Sequence, residues 1–167
     1  RMRLIKSCDN ANTFILAHQP MLTGLFLLFF VLSILIKLYL SVRQSLAVRS
    51  HRSFVPEAFT SQVTLEEHHK AADYTLAKQR LHRYEILFQA ALLLLWTLAG
   101  GLNVIAAIAI KWLPTAPILQ GVVLIGLFSL ISGILSLPFA LYRTFKLESR
   151  FGFNRSTLAT FISDQLK

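Results

Sequence analysis

Three long apolar runs dominate the pattern of the chain. A helix needs roughly 20 apolar residues to cross a hydrocarbon core of about 30 Å. Residues 21–40 meet this requirement with one charge, Lys37, near the end, where a long side chain can reach the interface. Residues 86–110 and 118–141 meet it with no charged side chain. The pattern therefore predicts an all-α integral membrane protein with about three transmembrane helices, organised as one membrane domain over residues 1–167.

The first run could also be a cleaved signal peptide, since basic residues precede it. Its apolar stretch is longer than the 7–15 residues usual for such signals. The residues that follow it, Tyr39 to Arg43, are bulky and basic rather than small. We therefore expect it to be retained as a true span.

A short polar turn separates the second and third runs. Residues 111–117 contain Lys111, Trp112, Pro114 and Pro117. A tryptophan at the interface and two helix-breaking prolines favour a tight reversal between two spans. The second and third runs are therefore predicted to form an antiparallel hairpin.

Composition and charge agree with a membrane protein. Hydrophobic residues make up 54% of the 167 positions and charged residues only 15%, with a formal net charge of +9. In a soluble chain this charge would suggest nucleic acid, but in so apolar a chain it is typical of loops facing an anionic leaflet. We expect the lipid bilayer as partner and no nucleic acid. The single cysteine, Cys8, excludes an internal disulfide framework and a Cys-rich zinc site.

Lys and Arg counts predict the orientation, because cytoplasmic segments carry an excess of them. Residues 41–85 hold seven and residues 142–167 hold five, against three before the first run and one in the turn. The segment 41–85 and the tail 142–167 are predicted to be cytoplasmic, and the N-terminus to lie outside.

The cytoplasmic segment is predicted to begin irregularly and then to form a long helix. Residues 43–63 contain Pro56, and Thr64 is followed three residues later by Glu67, the spacing of a capping box. No Gly or Pro occurs between residues 57 and 99. We expect one continuous helix from about Leu65 into the second span, projecting about 30 Å beyond the membrane.

Metal chemistry has little support in the local pattern. Glu66 and His69 are three residues apart and could share one ion, but a solvated helix face is the favoured interpretation. Gly100 and Gly101 interrupt the second span, and Pro138 is expected to kink or end the third.

Several segments, in this order, resemble the N-terminal membrane region of the type I CAAX prenyl proteases, which are integral-membrane zinc metalloproteases. These segments are VPEAF at 55–59, LEEHHKAADYTLAK at 65–78, TLAGG at 97–101, LPFALY at 137–142 and TFKLESRFGFNRST at 144–157. The likeness runs from about Arg43 to Lys167 and is similar to bacterial members, which implies a bacterial cell membrane. The positions it marks as structural motif residues are Pro56, Phe59, Glu67, His68, Lys70, Ala71, Tyr74, Lys78, Gly100, Gly101, Pro138, Tyr142, Phe145, Glu148, Phe151, Gly152, Phe153 and Asn154.

The family's zinc-binding HExxH motif has no counterpart among the five histidines of this chain. We therefore expect no catalytic residue, metal ligand or cofactor here, and zinc only in a full-length relative. Gly152 is predicted to allow a turn with positive φ, and Glu148 and Arg150 to pair with the cytoplasmic helix.

Three functions are compatible with these observations. The chain could be the non-catalytic front module of such a protease, helping to form a membrane chamber and substrate access, with the catalytic part or a peptide substrate as partner. It could instead be a stand-alone scaffold or partner subunit. Transport is the weakest, because no predicted span carries an Asp or Glu.

Overall fold

The computed structural model describes the backbone of residues 2–56, 63–153 and 157–165, and the side chains of 20–56, 63–153, 157 and 159–163. Every regular element in these ranges is helical. The elements are α1 (Met2–Ser50), α2 (Leu65–Thr97), α3 (Gly101–Trp112), α4 (Pro117–Leu141), a π-helical stretch called here the π segment (Tyr142–Glu148), the short α5 (Ser149–Phe151) and α6 (Leu158–Gln165). The prediction of an all-helical fold is confirmed.

The chain divides into two compact units, residues 1–40 and 41–167. In the first unit the described part of α1 presents large apolar side chains outward: Leu22 is 62% exposed and Phe29 60%. Phe26 and Phe30, one turn apart, stack with ring centroids 5.9 Å apart. A helix whose described apolar side chains are exposed to this extent fits a lipid environment.

Two helical stretches are long and apolar enough to cross a membrane, Pro20–Ser50 and Pro117–Phe151. The pair α2 and α3 passes the same test if it is counted as one bent span. Two or three crossings agree with the predicted number.

The expectation of an irregular stretch directly after the first span is wrong for residues 43–50. Helix α1 continues to Ser50 and ends there. Two serines of this last part, Ser41 and Ser45, are buried. The Ser41 hydroxyl donates to Gln79 Oε1 at 2.9 Å. The helix persists because its last turns pack against α2 through these polar contacts.

The expectation of one continuous helix from about Leu65 into the second span is confirmed, because α2 is unbroken from Leu65 to Thr97. Gly100 and Gly101 interrupt that span, as expected. Helix α2 ends at Thr97, and α3 begins at Gly101 after a 51° bend. Gly100 has φ +80°, a left-handed conformation that ends the α-helical ladder. A Cβ on Gly101 would lie only 2.9 Å from the Leu95 carbonyl oxygen, so the chain approaches itself too closely there for a larger residue. The glycine pair therefore forms a defined bend between α2 and α3.

Pro138 does not end α4 at its own position. The helix runs on to Leu141 and changes to π-helical hydrogen bonding at Tyr142. Proline has no N–H to donate to the carbonyl four residues earlier, so the regular ladder is already interrupted in the preceding turn. The helical path nevertheless continues to Phe151.

Buried apolar side chains are few among the described residues of the second unit. Leu92, Trp96 and Ile105 form a cluster, and Phe128 of α4 meets Trp96 edge-on at 5.3 Å. None of the 25 residues of α4 is buried. The described residues therefore leave most of the apolar surface of this hairpin uncovered.

Candidate functional site: the junction of α2 with the π segment

The start of α2 is fixed by a capping box. The Glu67 N–H donates to Thr64 Oγ1 at 3.2 Å, and the Thr64 N–H donates to Glu67 Oε2 at 2.9 Å. The hydrogen bond from the Thr64 backbone, followed by the one from its hydroxyl, lowers the pKa of Glu67. Glu67 is thus an ionised capping group, as the spacing predicted.

Two side chains tie the segment after α1 to α2. Arg52 donates through Nε and Nη2 to the two carboxylate oxygens of Asp73, both at 2.9 Å. This pairing lowers the pKa of Asp73 and raises that of Arg52. His68 Nε2 lies 2.9 Å from the His51 carbonyl oxygen. Because a carbonyl can only accept, this nitrogen carries the proton and His68 acts as a donor.

A second, polar interface connects the end of α1 to α2, nearer the C-terminal end of α2 than Asp73. Arg83 Nη1 donates to Ser45 Oγ at 3.0 Å and reaches Ser41 Oγ at 3.4 Å. Gln79 Nε2 donates to Gln44 Oε1 at 2.9 Å. This interface uses hydrogen bonds instead of apolar packing, which fits a position close to water.

Three aromatic rings join α2 to the chain beyond the π segment. Tyr74 meets Phe151 and Phe153 edge-on, with centroid separations of 5.5 and 5.0 Å. Gly152 between the two phenylalanines has φ +74°, so the predicted positive-φ turn is confirmed. The turn is closed by the Phe153 N–H, which donates to the Glu148 carbonyl oxygen at 2.9 Å. We call Tyr74, Phe151, Gly152 and Phe153 the aromatic knot.

Two lysines extend the aromatic knot along α2. Lys70 Nζ lies 5.5 Å from the Phe153 ring centroid, and Lys78 Nζ lies 5.9 Å from that of Tyr74. Cation–π contacts at such exposed positions contribute roughly 0.5–1 kcal/mol.

An ion pair marks the level at which α2 becomes apolar. Arg143 Nη2 of the π segment donates to Glu85 Oε1, and His82 Nδ1 lies 3.6 Å from Glu85 Oε2. The Glu85 side chain is only 16% exposed. In the part of the chain that the structure describes, Arg143 makes the ion pair to α2 that the sequence assigned to Glu148 and Arg150. Arg150 instead lies over the Phe151 ring at 5.9 Å.

A cavity of about 590 Å³, called here the boundary cavity, lies between α2 and the chain from Pro138 to Phe151. Its lining is Ala77, Arg80, Leu81, Tyr84, Pro138, Phe139, Tyr142, Lys146, Leu147, Arg150 and Phe151. Its lining combines apolar side chains with three cations, Arg80, Lys146 and Arg150.

The motif residues taken from the sequence lie at different places. The aromatic knot and the two lysines over it bring six of them together: Lys70, Tyr74, Lys78, Phe151, Gly152 and Phe153. Pro138 and Tyr142 line the boundary cavity, and Phe145 meets Phe161 of α6 edge-on at 5.5 Å. Gly100 and Gly101 form the bend, whereas Pro56 and Ala71 are exposed. Phe59 and Asn154 lie outside the described residues.

Sequence reasoning missed the ion pairs Arg52–Asp73 and Glu85–Arg143 and the serines that meet Arg83. Their partners are 21 to 58 positions apart. Only the lone acidic residue just before an apolar run, Glu85, was a usable signal that a basic partner should exist.

A metal centre has no support in this part of the molecule. The described residues contain no group of three His, Cys, Asp or Glu side chains that could hold an ion. The zinc that the family resemblance implies therefore does not fit the residues described here, since a catalytic zinc needs about three protein ligands.

The fold defines an all-helical integral membrane protein. Its long helix α2 is held, where it becomes apolar, by contacts with the chain that follows α4. Residues 44–167 match the family model described as the CAAX prenyl protease N-terminal region with five membrane helices, and the chain belongs to this family.

Individual relatives agree with the family model. The chain is 29% identical over 149 residues to the CAAX prenyl protease 1 homolog of Arabidopsis thaliana, covering 83% of this chain and 34% of that protein. It is 26% identical over 139 residues to CAAX prenyl protease 1 of Saccharomyces cerevisiae, covering 77% and 30%. The crystal structure of S. mikatae Ste24p shares the fold with a TM-score of 0.72 at 24% identity, covering 83% of this chain and 33% of that one. The chain thus spans about a third of the length of these relatives.

Proposed function

We propose that this chain is the non-catalytic membrane module of a membrane-embedded zinc endopeptidase, and that it helps to form the chamber and the substrate access of that enzyme. The observation that carries the proposal is the family match over residues 44–167, which contains the bend, the junction and the boundary cavity. The relatives are named as CAAX prenyl proteases. That the complete enzyme binds zinc and cleaves the substrates of these relatives is part of the proposal.

The structural basis for a wall-forming role is the length and fixation of α2. It begins at Leu65, 21 residues before the apolar run, and is held there by its cap, by Arg52 and by the aromatic knot. At 1.5 Å per residue this part is about 30 Å long. A helix so anchored can hold neighbouring parts of an enzyme at a fixed distance from the bilayer.

The catalytic groups in this proposal lie in other parts of the enzyme. His68 is engaged with a carbonyl, Glu67 with a cap and Glu85 with Arg143. Each of these potential ligands or bases therefore already has a structural contact.

The first test is to sequence the transcript through and beyond the codon of Lys167. The proposal expects a continuous reading frame that reaches an HExxH motif, and chelator-sensitive cleavage of a peptide by its purified product. A stop codon at that point, in a protein that is still stably expressed, would favour a scaffold or partner subunit.

The orientation is part of the same proposal: N-terminus outside, with residues 41–85 and 142–167 in the cytoplasm, in a bacterial cell membrane. Its support is the excess of Lys and Arg in these two segments. Cysteines introduced at Ser50 and Thr115 in a Cys8→Ser background test it with an impermeant reagent. Labelling of the Thr115 position from outside and of the Ser50 position only after lysis is expected, and the reverse pattern would contradict the orientation.

A further inference from the structure

We propose that the boundary cavity binds the phosphate headgroup of an anionic phospholipid, with an acyl chain along its apolar wall. Its position suggests such a ligand. The Glu85–Arg143 pair marks the level at which the charged part of α2 gives way to the apolar run. Pro138 and Phe139 line the cavity with apolar surface, and Arg80, Lys146 and Arg150 line it with positive charge.

The charge of the cavity is not neutralised from within the described residues. Three cations line it and none of its lining residues carries a carboxylate. Elsewhere in this unit Arg52 and Arg143 are each paired with a carboxylate. The Arg150 guanidinium lies over the Phe151 ring at 5.9 Å, and this contact leaves its charge in place. An anion is therefore the complementary occupant.

The remainder of the lining favours a lipid over a small soluble anion. Leu81, Phe139 and Leu147 present apolar surface, which would not contribute to binding free phosphate. Tyr84 and Tyr142, 61% and 51% exposed, have the amphipathic side chains that occur where headgroups meet acyl chains. A volume of about 590 Å³ holds a headgroup together with the start of a chain.

The test compares bound lipid in two triple variants of the purified protein. Arg80→Gln, Lys146→Gln and Arg150→Gln together remove the cations of the cavity. The matched control, Arg43→Gln, Arg49→Gln and Lys111→Gln, removes the same charge at exposed positions that do not line it. Native mass spectrometry in detergent with added phosphatidylglycerol should show about a tenfold loss of bound lipid in the cavity variant and less than a twofold loss in the control. Equal losses in both would overturn the proposal, because only net charge would then matter.

Three further measurements separate the possible occupants. Ala77→Trp fills the cavity without changing its charge and should also abolish binding; retention of the lipid would show that it binds elsewhere. Inorganic phosphate at 10 mM should not displace the lipid, and full displacement would indicate a small-anion site. In the unaltered protein, a photoactivatable phosphatidylglycerol should label peptides from residues 77–84 and 138–151, whereas labelling confined to other regions would overturn the proposal even if a variant fails to fold.

Discussion

The α3–α4 hairpin and the junction of α2 with the π segment lie in the same unit and are built in opposite ways. The hairpin has a core of a few apolar residues, and none of the residues of α4 is buried. The junction has a capping box, two carboxylate–arginine pairs and the aromatic knot. In the hairpin, most apolar side chains are left uncovered by the described residues. In the junction, individual side chains define the geometry.

The two regions also differ in whether a glycine position could accept a side chain. A Cβ on Gly126 of α4 would meet nothing within 4 Å. Gly152 of the junction has φ +74° and holds the turn between two rings of the aromatic knot. We conclude that apolar composition defines the hairpin, whereas contacts between individual side chains define the junction.

The largest contrast is expected from placing valine at these two glycines. Gly152→Val forces a β-branched residue into the left-handed region and should destabilise the fold by about 2–3 kcal/mol. Gly126→Val, the matched control, should stay within roughly 0.5 kcal/mol. Thermal unfolding and folded yield in detergent measure both. A Gly152→Val protein with unaltered yield but lost turnover would assign this turn a direct catalytic role.

The next contrast concerns the boundary ion pair. Arg143→Gln leaves the mostly buried Glu85 without its cation and should cost about 1–3 kcal/mol, less than a fully buried pair. Adding Glu85→Gln should recover part of the loss, because the uncompensated charge is then removed. Lys111→Gln in the hairpin turn is the control and should leave the melting temperature unchanged. A double variant no more stable than Arg143→Gln alone would show that the pair does not couple the two helices.

The sequence was sufficient for the apolar helices, the cap of α2 and the turn at Gly152, because each depends on a local pattern. It predicted the interruption at Gly100 and Gly101 but not the angle of the bend, which depends on how closely Gly101 approaches Leu95. It also assigned the ion pair of the π segment to the wrong residues. The π-helical register after Pro138 rotates the side chains that follow, and a regular helical projection cannot show that rotation.

A smaller effect is expected at the centre of the aromatic knot. Tyr74→Leu removes two edge-on contacts and should cost about 1–2 kcal/mol, whereas Tyr74→Phe keeps both rings in contact and should cost little. Phe128→Leu in the hairpin removes one such contact, with Trp96, and should cost about half as much. Melting curves of the three variants measure this order, and an equal loss for Phe128→Leu would remove the distinction between the regions.

The smallest effect is expected at the cap of α2. Thr64→Ala should cost about 1 kcal/mol near neutral pH. The folded pKa of Glu67 is lowered by Thr64, so the contribution of its carboxylate is complete above the unfolded pKa and is lost as the pH falls through the folded one. The difference in melting temperature between wild type and Thr64→Ala should therefore shrink on acidification across this window. A difference that grows toward acid would contradict the capping role of Glu67.

The most direct test of a structural rather than catalytic role is the zinc content of the complete protein after all five histidines of this chain, His18, His51, His68, His69 and His82, are replaced by glutamine. If the metal ligands lie elsewhere, mass spectrometry should find the same zinc-to-protein ratio, near one, in the variant and in the wild type. Loss of zinc from a variant that still elutes as a folded protein would place ligands in this chain and contradict the account, as would a wild-type protein that holds no zinc.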